Sequence, residues 1–153
     1  MAAPSWTGDI HVGTLGDQNP RLGRKVRTAD GSEYIWMKGV ASLVLGDWVT
    51  FNGSSYATVR LIADAVGPVA IAMSANTVTT NQSWYQIAGI NTVSNSDTVA
   101  GANVPLFIDG TTGRVDDAVV TGDMVVNAFP TAADTTNVLP VYIFYPCVTN
   151  SLG

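Results

Sequence analysis

Lys25-Val26-Arg27-Thr28 and Glu33-Tyr34-Ile35-Trp36-Met37-Lys38 flank the short segment Ala29-Asp30-Gly31-Ser32. Asp-Gly between two extended runs is a strong β-hairpin signal. Gly takes up positive φ without cost, and Asp bonds its own backbone two residues on. The pattern repeats at once, with Trp48-Val49-Thr50-Phe51 and Tyr56-Ala57-Thr58-Val59-Arg60 around Asn52-Gly53-Ser54-Ser55. In that second pair Trp48, Thr50, Tyr56, Thr58 and Arg60 alternate with Val49, Phe51, Ala57 and Val59, as a half-buried sheet requires.

Working outward, Pro-Val-Ala-Ile-Ala-Met at 68–73 and Ser-Trp-Tyr-Gln-Ile-Ala at 83–88 read as further strands. A helix over 61–75 is the alternative, since five alanines fall there, but Gly67-Pro68 cuts it. Pro-Leu-Phe-Ile at 105–108, Arg114-Val115, then 124–128 and Leu-Pro-Val-Tyr-Ile-Phe-Tyr at 139–145 continue the rhythm. Strands at roughly 8 to 15 residue spacing predict an all-β fold, a small β-barrel or β-sandwich. Gly46-Asp47-Trp48-Val49 and Gly122-Asp123-Met124-Val125 share one motif. It reads as a strand start, in which Gly permits the turn, Asp holds nearby N–H groups and the apolar residues enter the sheet.

Composition agrees. Val (20), Thr (17), Gly (15), Ser (10) and Asn (10) are frequent, against one Glu and two Lys, so polar helix formers are nearly missing. Hydrophobic residues make up 46% of the 153, which excludes intrinsic disorder. Charged residues make up only 12%, about half the usual share, and such a surface suits close packing against neighbours. The net charge of −5 is uneven: residues 1–38 carry +1 and the remainder −6. An acidic chain is a poor phosphate binder, so no nucleic-acid partner is expected. The apolar run at 66–73 is far shorter than a membrane helix needs, and the first residues lack a cationic and apolar leader, so no membrane partner and synthesis in cytoplasm are expected.

Residues 1–24 hold Pro4, Gly8, Gly13, Gly16, Pro20 and Gly23 with no sustained period and read as an extended N-terminal arm; 25–153 form a single all-β domain. Trp6 and the alternating Ile10 and Val12 are costly to leave in water, so the arm docks on a partner. Arg21, Arg24, Lys25 and Arg27 concentrate positive charge at its base, suited to an acidic protein surface. The candidate partner-binding residues are therefore Trp6, Ile10, His11, Arg21, Arg24, Lys25 and Arg27. No chemistry competes with this reading. His11 is the one histidine and lies in the arm, so a Ser-His-Asp triad is excluded. Cys147, the single cysteine, has no nearby histidine and reads as a buried small hydrophobe. Asp116 and Asp117 point to opposite faces of a strand, and 109–117 lacks the spacing of a calcium loop. No catalytic residue, metal or cofactor is expected.

Three segments resemble tailed-bacteriophage capsid decoration (cement) proteins: Arg24-Lys-Val-Arg-Thr-Ala-Asp-Gly-Ser-Glu-Tyr-Ile-Trp-Met-Lys-Gly39, Leu45-Gly-Asp-Trp-Val49, and Ala100-Gly-Ala-Asn-Val-Pro-Leu-Phe-Ile-Asp-Gly-Thr-Thr-Gly-Arg114. The resemblance runs in rhythm over 24–145. It implies a small β-barrel-like or sandwich-like domain on the capsid exterior, a homotrimer at three-fold points whose arms reach the major capsid protein. The long Gly-rich arm and the strands bearing Trp48 and Trp84 depart from that pattern, so which end meets the capsid stays open. The alternative is a glycan-binding or other adhesive β-module of a phage fibre, with Trp36, Trp84 and Tyr85 as stacking platforms.

Overall fold

The Asp-Gly hairpin forms as its residues dictate. In the computed structural model, which describes residues 13–14, 20–76 and 78–149, Asp30 Oδ1 accepts from the Ser32 N–H at 3.0 Å and from the Thr28 hydroxyl, while Gly31 takes φ +88°. The strands it joins are β2 (Lys25–Arg27) and β3 (Glu33–Lys38), preceded by β1 (Gly13–Thr14). The second hairpin joins β4 (Trp48–Phe51) to β5 (Thr58–Arg60). Its turn is longer than the sequence suggests, because Tyr56 takes φ +54° and Asn52 Oδ1 gathers the N–H groups of Ser54 and Ser55 at 2.9 Å each. Then come β6 (Gly67–Ala72), β7 (Asn81–Asn95), β8 (Leu106–Ile108), β9 (Val115–Asp116), β10 (Met124–Pro130) and β11 (Val138–Val148). The described residues include no helix, so 67–72 settles as a strand.

Among the described residues all eleven strands belong to one antiparallel sheet with the path β2-β3-β7-β6-β11-β10-β8-β9, with β1 beside β7 and β4 and β5 beyond β6. The path is open, so the all-β expectation holds without closure into a barrel. Alternating residues of β4 and β6 divide between two cores. Trp48, Val69 and Ile71 enter the larger one with Leu106, Val125 and Ile143. Val49, Ala70 and Ala72 enter the smaller one with Ile35, Met37 and Tyr85. The two strands therefore form a shared wall with no wet face, which explains why their sequences read as near-continuous apolar runs.

Strand β7 is the spine. Its first half pairs β3 and β6, and its second half pairs β11. The change of partner falls at Gly89, which takes φ +103° and has no room for a side chain, since a Cβ there would lie 2.8 Å from the Ser32 Cα. The buried Gln86 holds this bend, its Nε2 donating to the carbonyls of Ala88 and Ile90 at 3.1 Å and its Oε1 accepting from Asn91 Nδ2 at 2.8 Å. Both Gly-Asp motifs start strands. Gly46 and Gly122 take φ +87° and +88°. Asp47 accepts from the Val44 N–H at 3.1 Å, and Asp123 from the Asp64 N–H at 2.9 Å.

Candidate functional site

Leu139, Val141 and Ile143 of β11 point into the larger core, so the residues that alternate with them face out. Those residues include Tyr142 and Phe144. Cross-strand register extends this outward face: Tyr142 lies opposite Phe129 of β10 on one side and Ile90 of β7 on the other. With strands about 4.8 Å apart, Phe129, Tyr142 and Ile90 form an apolar row about 10 Å wide. All three are exposed, Ile90 at 61%, and Phe144 at 56% extends the row along β11.

The register between β10 and β11 slips between Val126 and Ala128, and Asn127 and Tyr145 take positive φ there. This bulge lets two consecutive residues face solvent. Phe144 and Tyr145 consequently pack edge to face, 5.2 Å between ring centres at 85°. Tyr145 carries the row onto the charged hairpin. Its hydroxyl donates to Glu33 Oε2, an acceptor that raises the phenol above its ordinary value because losing the proton would leave two anions in contact. Lys25 Nζ stands 5.3 Å above the Tyr145 ring, and Arg27 Nε lies 3.9 Å from Glu33 Oε1. A shallow depression of about 310 Å³, walled by Arg27, Asp30, Glu33, Ile90, Tyr142 and Phe144, joins the two regions.

Of the residues expected from sequence to bind a partner, Arg21, Arg24, Lys25 and Arg27 are all exposed, along β2 and the segment leading into it. Strand β2 lies at one end of the sheet path, and Gly23 and Arg24 already bond to Trp36 of β3 through the backbone. Lys25 and Arg27 adjoin the aromatic face through Tyr145 and Glu33. Trp6, Ile10 and His11 lie outside the described residues. The rings expected as glycan platforms are in the interior: Trp36, Trp84 and Tyr85 are buried, Trp36 Nε1 donates to Gln82 Oε1 at 2.6 Å, and its ring meets Trp84 edge to face at 5.1 Å. They offer no stacking surface, because both faces of β3 and of the first half of β7 are covered. The exposed aromatic residues are a different set, which strand alternation in 139–145 signals but only tertiary register assembles. Cys147 is half-buried rather than buried. Among the described residues no cluster of His, Cys, Asp or Glu is arranged to hold a metal ion.

Comparison with protein-family models, curated proteins and solved structures gives no match for this chain.

Proposed function

We propose that this chain is a non-enzymatic structural protein that decorates a bacteriophage capsid, binding the outer surface of the major capsid protein as a homotrimer. The observation that carries the reading is the row of Phe129, Tyr142 and Ile90 with Phe144, an apolar face left in water beside a rim of mixed charge. Contiguous exposed apolar surface on a soluble chain marks a protein contact, and aromatic anchors ringed by polar groups are the usual energetic centre of one. The low charge content supports it further, as does the likeness of 24–39 and 100–114 to decoration proteins. The basic residues Arg21, Arg24, Lys25 and Arg27 steer the encounter, and the arm bearing Trp6, Ile10 and His11 adds reach over the shell.

Co-sedimentation with undecorated capsids tests this. The wild-type protein pellets with the shells, a protein lacking residues 1–24 pellets less, and the double variant Tyr142→Ser, Phe144→Ser stays in the supernatant. A wild-type protein that remains in the supernatant at micromolar concentration overturns the reading.

A further inference from the structure

A second apolar groove of about 480 Å³ opens beside β2, on the far side of Tyr145 and Lys25 from the aromatic row and walled also by the turn after β4 and the ends of β6 and β11. Ile35, Val69 and Ile87 reach it from the cores, Tyr56 and Cys147 flank it, and Lys25 is the one charged residue along its wall among the described residues. At the other end of the sheet path, the loop leaving β9 presents the reverse surface. It runs Asp116-Asp117-Ala118-Val119-Val120, with Val119 81% exposed, more than any other large apolar side chain among the described residues. Val120 beside it is exposed too, and acids are the only charges in the loop. Because Val119 is in water, the loop does not fill the groove of its own molecule.

We propose that Val119 and Val120 of one copy seat in the groove of a second copy, with the acidic loop that carries them set against Lys25. Polarity and charge both match: a two-valine knob preceded by acids meets an apolar cleft rimmed by a cation. Knob and groove are different patches, so the contact is heterologous and runs head to tail, the kind that closes into a ring where the rotation between copies allows. The inference rests on the self-association in the reading above and deepens it by naming the surfaces; three such contacts close the trimer.

The chain's single native thiol makes the contact testable without a shell. Cys147 lines the groove, so Val119→Cys places a second thiol on the knob. Mild oxidation of purified Val119→Cys protein is expected to give a 119–147 disulfide between chains, identified by peptide mass spectrometry. The product is lost in the added Cys147→Ser background and does not form with a cysteine at exposed Val44. Light scattering adds a second measure: the wild-type protein at three times the chain mass, and Val119→Glu at the chain mass with unchanged β-sheet circular dichroism. Absence of a cross-link, a 119–119 disulfide as from a two-fold contact, or a monomeric wild-type protein each overturns the proposal. Because no capsid is present, a failure of shell binding in co-sedimentation leaves this result standing, and the reverse holds as well.

Discussion

Arg60 Nε lies 2.7 Å from Asp47 Oδ2, an ion pair whose carboxylate is almost fully removed from water. Asp47 also accepts from Asn95 Nδ2 at 2.9 Å and the Val44 N–H at 3.1 Å, while Arg60 Nη2 donates to the Thr112 carbonyl at 3.0 Å. The pair thus ties the start of β4 to β5, to the end of β7 and to the turn after β8. Removing Arg60 leaves the Asp47 carboxylate buried without its counter-charge. Arg60 is itself partly exposed, so Arg60→Ala is expected to fall at the low end of the ~3–5 kcal/mol typical of such deletions. Asp47→Ala costs more, because Asn95 and Val44 lose their acceptor as well. Urea titration checks both: the midpoint falls with an unchanged slope.

How much of this was legible beforehand depends on the range of the interactions. The Asp30-Gly31 hairpin and the two Gly-Asp strand starts are readable because their bonds close within a few residues. Strand β7 runs to Asn95, well past the short buried strand that reads from 83–88, because Gly89 and Asn91 interrupt the pattern while Gln86 repairs the backbone bonds at the bend. Trp36 and Trp84 lie in alternating strands, where a ring is more often core than platform, and the covering of both sheet faces makes them core. Phe129, Tyr142 and Ile90 come from three strands, and no local pattern announces that they share a row.

Gly46 is fixed by backbone rather than by side chains. Its φ is +87°, and a Cβ would lie 1.9 Å from the Val93 carbonyl oxygen, which β7 holds in place. A left-handed non-glycine residue alone costs about 1–3 kcal/mol, and the clash adds to that. Gly46→Ala is expected to lower thermal stability by more than that range. Gly53→Ala, where a Cβ meets nothing within 4 Å, leaves the melting temperature nearly unchanged. Parallel calorimetric scans of the two variants check the contrast.

Asp116 sets a pH dependence. Burial raises its carboxyl above the ordinary 3.8, and the charges of Asp109, Asp117 and Asp97 push the same way, against one backbone N–H from Ala118. The folded chain therefore holds this proton more tightly than the unfolded chain. The ionised group works against folding at every pH above its folded value, and that cost fades as pH falls through the folded value toward 3.8. Asp116→Asn, which can still accept from Ala118, is expected to raise the melting temperature at neutral pH. The gain shrinks to nothing in acid below 3.8, measured at low protein concentration by scans across pH.

The aromatic row separates binding from stability. Tyr142 and Phe144 project outward from a strand whose alternate residues Val141 and Ile143 are fully buried, so truncating the outer pair removes little that holds the fold together. Surface changes of this kind stay within about 0.5 kcal/mol. In an interface the same rings would be anchors, and truncating a hot-spot aromatic costs about 2 kcal/mol of binding, or roughly 30-fold in affinity. Tyr142→Ser alone is therefore expected to weaken shell binding about 30-fold while leaving the urea midpoint in place. Val141→Ser reverses the pattern by placing a hydroxyl in the larger core: the midpoint falls, and binding by the folded fraction persists. If Tyr142→Ser binds as tightly as the wild-type protein in a sedimentation isotherm, the row is not the contact face.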